Sequence, residues 1–248
     1  MTELSGDARF FLGTHQFMRG SVRGKLEKLS APLVSSYNSA LSVVASQAKR
    51  SDGKYGELSE KAKRRGPILA AFTVGLSLVE DAIFGGYPIQ AAALVRQELE
   101  AIAALVEIES STRRDKVTPN IKVLNVHGRI YGTLSQITHL ADNEWVRRLI
   151  AYEEPPNLGD LPANATEAWC ISPRYSESLS STLGIHVFLM LHFTEHQALH
   201  MKDLHDLDET PEEAAYAEAA LKILVDKGGV DIVAQPIIPG DRQQAAAP

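Results

Sequence analysis

The segment HVFLMLHFTEHQALHMKDLH, residues 186–205, carries five of the chain's eight histidines, with His192, His196 and His200 spaced four and four. Imidazoles at i and i+4 are neighbours on one helical face, so two of them can share a metal ion. On the wheel His192 and His196 fall with Ile185, Leu189 and Leu199 and are expected to face inward. An inward imidazole needs a partner. The candidates are a metal, a carboxylate such as Glu100, or the hydroxyl face around Ser135. A divalent transition metal held by His192, His196 and His139 is the metal-site expectation.

Two further constellations bear polar chemistry. Successive helical residues turn by about 100°, which puts Arg96, Glu100 and Glu107 on one narrow stripe. Val95, Leu99, Ile102 and Val106 lie on one side of it and Leu94, Leu105 and Ile108 on the other. With both apolar faces packed, the stripe looks out through a slot or points into a polar pocket. In GRIYGTLSQITHLA, Tyr131, Ser135 and His139 are spaced four and four, so two hydroxyls and an imidazole share a face. They can hydrogen-bond one another or a ligand, and His139 can exchange a proton near neutral pH. The sequence leads to a central polar cluster of Arg96, Glu100, Tyr131, Ser135, His139, His192 and His196. It would knit helices together or bind a small ligand. HFTEH at 192–196 also fits the H-x-x-E-H pattern of inverted zinc peptidases, with Glu195 activating water. Only 52 residues follow His196 to supply a third ligand. No phosphate-cradling glycine motif occurs, and Cys170, the sole cysteine, has no neighbouring base to make it a nucleophile.

The elements that must hold these residues are helical. Leu26, Leu29, Leu33, Val34, Tyr37, Leu41 and Val44 recur at three and four, predicting a helix over 20–50 with a break near Pro32. SDGKYG at 51–56 reads as a turn and a charged helical stretch follows to Arg65. Pro67 suits a helix start and Gly85-Gly86 a stop; Pro88 opens the next helix, which forms a hairpin with it. A loop is expected over 112–126. Further helices are expected over 128–141, 143–153, 176–206 and 211–227. Four prolines crowd 154–174, a surface excursion or lid. VDIVAQPII is the one short strand-like run. The expected fold is therefore all-α, an antiparallel helical bundle of about six or seven helices. Residues 1–65 would be an N-terminal helical arm packed on the main domain, 66–230 the bundle core and 231–248 a loose tail.

Composition excludes several classes. With 248 residues, 44% hydrophobic and 23% charged, the chain can build a core without disulfides or structural metal, and it is neither disordered nor fibrous. The start lacks a secretory pattern, and runs such as 67–79 and 183–191 fall short of the ~20 residues a membrane span requires. A cytoplasmic protein with no membrane partner is the expectation. Net charge is −6, divided unevenly: residues 1–122 hold 17 Lys+Arg against 13 Asp+Glu, and 123–248 hold 8 against 18. The basic residues are interleaved with glutamates rather than clustered with aromatics, which argues against nucleic acid as partner. Self-association is expected, because the helices after Gly66 and after Pro88 carry more apolar surface than one bundle face needs.

A-L-V-R-Q-E-L-E at 93–100, together with Y-G-T-L-S-Q-I-T-H at 131–139, resembles a set of bacterial all-helical proteins of unknown function. That set is similar to the HEPN-like helical bundles, some of which are RNA-cleaving toxins or phage-defence proteins. The resemblance spans about residues 67 to 200. It implies a helical bundle and, as one activity, a ribonuclease built on R-x4–6-H in a dimer. The match to that motif here is RFFLGTH, Arg9 to His15, with Phe10 directly after the arginine. Three readings of function follow: a small-ligand-binding or interaction protein, a metal-dependent enzyme using the 186–205 helix, and a HEPN-like ribonuclease.

Overall fold

The computed structural model describes residues 2–124, 128–138 and 177–226. Among the described residues there are seven α-helices and one 3-10 turn, and the protein is an all-α bundle. The helices are α1 (Thr2–Leu29), α2 (Ala31–Ser51), α3 (Glu60–Phe84), α4 (Pro88–Glu109), α5 (Gly128–Thr138), α6 (Glu177–His205) and α7 (Pro211–Asp226). The 3-10 turn, Ile121–Leu124, sits inside the segment expected to be a loop.

Local chemistry sets most of the boundaries. Pro32 lies in the first turn of α2, where its missing N–H costs nothing, and the chain breaks at Ser30. Gly53 takes φ 68° in the turn after α2, a left-handed conformation open to glycine at no steric cost. Gly85 and Gly86 end α3, and Pro88 starts α4 one residue beyond Tyr87. The start of α3 differs from the sequence expectation. The helix begins at Glu60, capped by Ser59, which accepts from Ala62 N at 3.1 Å, and runs straight through Pro67. An interior proline forfeits the hydrogen bond to the carbonyl four residues back. Here Pro67 is exposed, and the turns before it are fixed independently by the Ser59 cap and by the ion pairs of Arg65.

Packing centres on α6. Its residues Leu183, Val187, Leu189, Met190 and Phe193 are all buried, so it is apolar nearly all round and must be enclosed. It touches α2, α3, α4 and α7. The α2 contacts run in parallel order, Ser30 to Ser180, Tyr37 to His186 and Gln47 to Thr194. The α3 contacts run antiparallel: Phe72 stacks on Phe193 at 4.3 Å and Arg65 reaches Asp203. Tyr37, Ala40 and Val44 of α2 belong to the same core as Leu99, Ile102 and Leu105 of α4. Helix α1 joins through Val22, Leu26 and two ion pairs, Arg19–Asp81 and Arg23–Glu80.

By length and composition α3 is long and apolar enough to cross a membrane, although Leu69, Phe72, Leu76 and Val79 pack it into the bundle. The expected 143–153 helix, the proline-rich 154–174 segment, VDIVAQPII and the tail lie outside the described residues.

Candidate functional site

Helices α4 and α5 lie antiparallel and bring part of the expected polar cluster together. Arg96 and Glu100, one turn apart on α4, pair through Arg96 Nε and Glu100 Oε1 at 3.2 Å. The Tyr131 hydroxyl of α5 donates to the same Glu100 oxygen at 2.9 Å and accepts from Arg96 Nη2 at 3.3 Å. The guanidinium lies 5.2 Å from the centroid of the Tyr131 ring, within cation–π range. Arg96 Nη1 donates to Thr138 Oγ1 at 3.3 Å, and Thr138 donates in turn to the Ser135 carbonyl. Ser135 therefore enters through its backbone. Arg96 and Glu100 each keep about a quarter of their side-chain surface in contact with solvent. The result is a preset donor, acceptor and phenol at a helix seam, reachable from outside.

Glu107, the third member of the stripe, has a different role. It is buried, takes Arg113 Nη1 at 3.2 Å and accepts from Asn120 N at 2.8 Å. It thus ties the chain beyond α4 back onto that helix.

His192 and His196 of α6 face inward, as the wheel implies, whereas His200 and His205 are half-buried. His192 holds Glu195 through Nδ1 at 3.2 Å and meets the Phe188 ring edge-on at 4.4 Å, while its Nε2 has no hydrogen-bond partner among the described residues. His196 is 1% exposed and neither ring nitrogen has a hydrogen-bond partner among the described residues. Burial pushes its pKa down to about 4; Glu195 opposes the shift, while His192 and Arg65 add to it. At neutral pH it is an uncharged imidazole. His200 is lowered in the same direction, by burial and then by Arg65.

Arg65 occupies the place between the nearby carboxylates. It is 1% exposed, lies 3.3 Å from Glu109 Oε1 through Nε, and pairs with Asp203 through Nη2. A resident cation already neutralises that corner. Among the described residues no three His, Cys, Asp or Glu side chains gather as a metal-ligand set. His139, Cys170 and the side chain of Arg9 lie outside the described part of the chain. Glu100 is engaged by Arg96 and Tyr131, and His192 by Glu195, so the two halves of the expected cluster contact different elements.

Another buried pair escaped the sequence reading. His186 Nδ1 and Glu98 Oε2 share a hydrogen bond at 2.8 Å, with both side chains buried. Burial raises the Glu98 pKa, and His186 opposes that shift. The Tyr37 ring lies 5.8 Å from the His186 ring, and its hydroxyl pKa is pushed up by burial and by Glu80. A signal for the pair existed. Glu98 falls on the repeat Ala91, Val95, Ile102, Leu105, and His186 on Leu183, Leu189, Phe193. A lone acid and a lone imidazole on two apolar stripes must find polar partners.

Fold and site together describe an all-α bundle with a half-buried Arg–Glu–Tyr seam and a buried histidine helix. Compared with protein-family models, with curated proteins and with solved structures, the chain finds no match.

Proposed function

We propose that the protein is a small-ligand-binding or interaction protein whose binding end is the α4–α5 seam. The observation behind this reading is the Arg96–Glu100–Tyr131 triangle, in which a donor fork and a carboxylate are fixed on two helices yet stay partly open to water. A ligand carrying both a carboxylate and an ammonium group suits it: Arg96 would take the acid and Glu100 the amine, with the Tyr131 hydroxyl between them. Preorganisation on rigid helices reduces the ordering cost of binding. Thermal unfolding in the presence of free α-amino acids, with the matching simple carboxylates and amines as controls, tests the idea. A rise in midpoint for the zwitterions that disappears in Arg96→Ala and in Glu100→Gln supports it. No rise in the wild type, or a rise that both variants keep, sinks it.

A second reading, a divalent metal on α6, is favoured by one observation. Glu195 fixes Nδ1 of His192, which leaves Nε2 with its lone pair and no partner among the described residues, and His196 is neutral with both nitrogens likewise unpartnered among them. A carboxylate behind a histidine is how metal-binding imidazoles are oriented. Such a site needs a third ligand, for which His139 is the candidate. Elemental analysis of protein purified without an affinity tag or chelator decides it: stoichiometric metal lost in His192→Ala/His196→Ala supports the site, and no metal removes it.

A further inference from the structure

Helix α3 has a face that the other described helices leave uncovered. Its inner side packs on α4 and α6. On the outer side Ala70, Ala71, Val74, Ser77 and Leu78 are exposed, Val74 at 75% and Leu78 at 56%. No charged residue occurs from Pro67 to Val79 on either side. A helix side that faces water ordinarily carries charges. In α3 they gather at the ends, Glu60, Lys61, Lys63, Arg64 and Arg65, net positive, at the start and Glu80 and Asp81 at the finish. An apolar stripe with opposite charge at its two ends complements itself when a second copy of the same helix runs the other way.

The geometry points to a two-fold homodimer in which α3 of one copy crosses α3 of a second copy, antiparallel, at Val74. Pro67, Ala70, Val74, Ser77 and Asp81 are spaced three, four, three and four, the seam of a helix pair crossing at a shallow angle. With Val74 on the axis, Leu78 of each copy comes level with Ala70 of the other, and Asp81 with Pro67. Beside Ala71 and Gly75 the α3–α4 boundary opens into a mainly apolar groove of about 130 Å³, walled also by Leu94 and Ala101. Leu78 of the second copy has that hollow to enter. Arg64 lies one turn before Pro67, about 4.5 Å along the axis; it donates to Asp115 Oδ1 and the Arg113 carbonyl of its own chain, keeps 39% of its side chain exposed, and is within side-chain reach of Asp81 of the second copy. Asp81 remains 65% exposed after accepting Arg19. A stripe one helix wide is smaller than the roughly 800 Å² per partner of a standard interface, so the dimer is a weak, micromolar one. A bilayer surface would favour basic flanks, whereas one end of this stripe is acidic.

Sedimentation velocity from about 1 to 200 µM, a range bracketing a micromolar Kd, tests the proposal. The wild type should move from 27.0 kDa toward twice that mass, and Val74→Asp/Leu78→Asp should stay at 27.0 kDa with an unchanged helical circular dichroism spectrum. Both positions are exposed, but should that variant fail to fold, charge exchange gives a second route: Arg64→Glu weakens the dimer and Arg64→Glu/Asp81→Arg restores it. Geometry is read separately in a Cys170→Ser background, where Val74→Cys should oxidise to a disulfide-linked dimer and Lys63→Cys should not. A wild type that stays monomeric throughout the range overturns the proposal, as does a dimer that survives Val74→Asp/Leu78→Asp. Flotation of a monomeric wild type with phosphatidylcholine/phosphatidylglycerol vesicles, lost in the same double variant, would assign the stripe to a membrane and overturn it as well.

Discussion

At the scale of single residues, the buried Glu98–His186 pair makes the sharpest demand on the sequence. Each group lacks water, so removing one partner leaves the other buried and unpaired, a loss of about 3–5 kcal/mol in such settings. Glu98→Leu should therefore lower the urea midpoint strongly. Glu98→Leu/His186→Phe should recover most of that loss, because two apolar groups replace two desolvated polar ones. A double variant that is as weak as the sum of its singles would show the two residues to be energetically independent. The Arg96–Glu100 spacing was legible because four residues make one helical turn, and Tyr131 because it opens a polar face. Thr138 was not singled out, although it lies two turns from Tyr131 and takes the contact expected of the Ser135 side chain. Wheel position tells which way a side chain points, but the identity of its partner depends on the helix that arrives opposite. The inward histidines show the same limit: the direction of His192 and His196 is readable from the wheel, whereas the partner of His192 is Glu195 of its own helix rather than the expected metal, Glu100 or Ser135 face.

Elements were more legible than partners, since caps and breakers act locally. Helix α6 runs Glu177–His205 against an expected 176–206, and α7 runs Pro211–Asp226 against 211–227. At α3 expectation and structure part at Pro67, which by its chemistry suits a first turn yet lies inside the helix. Proline is costly inside a helix, but a capped, ion-paired first segment outweighs it. Arg65 is the pin of that segment, joining the start of α3 to the ends of α4 and α6. Arg65→Met should cost about 3 kcal/mol, the lower end for a broken buried pair, because Asp203 and Glu109 are partly exposed and can turn to water. Urea denaturation measures it, and a loss below about 1 kcal/mol, the worth of an exposed pair, would contradict the buried-pin assignment. Helix α7 is held differently. Thr210 and Glu213 form a capping box, with Glu213 N donating to Thr210 Oγ1 at 3.1 Å and Thr210 N donating to Glu213 Oε2 at 2.9 Å. The same carboxylate takes Ser46 and Arg50 of α2. Glu213→Ala removes cap and latch at once. Hydrogen exchange should then show α7 amides losing protection before those of α6; equal loss in both helices would mean that the latch is not local.

For the whole molecule, pH is the variable that sums these buried groups. His196 sits near 4 in the folded chain against 6.5 when free. The native state thus binds fewer protons than the unfolded one between these values. The stability it represents is fully present above about pH 6.5 and is lost as pH falls toward 4, in all about 3 kcal/mol. His200 is lowered too and acts in the same sense. Glu213 behaves alike at lower pH: burial would raise its pKa, but hydrogen bonds from Thr210, Ser46 and Arg50 outweigh that and hold it down, so its contribution is lost as the carboxylate protonates. Glu98 opposes them. Its raised pKa means that the native state keeps a proton the unfolded chain releases, so its contribution grows as pH falls through the folded value toward the unfolded one near 4.3. Burial also raises the pKa of the mostly exposed Glu209, which acts in the same sense as Glu98. The two histidines lose their contribution from about pH 6.5 downward, so the wild-type urea midpoint should drop between about pH 7 and pH 5. His196→Leu removes the larger part of that drop. It should also leave stability at neutral pH unchanged or higher, because the imidazole gives up no hydrogen bond among the described residues. Should His196→Leu retain the full acid-side loss of the wild type, the imidazole would have to be charged or solvated in the folded protein. The neutral, inward-facing histidine on which the metal reading of α6 rests would then fall with it.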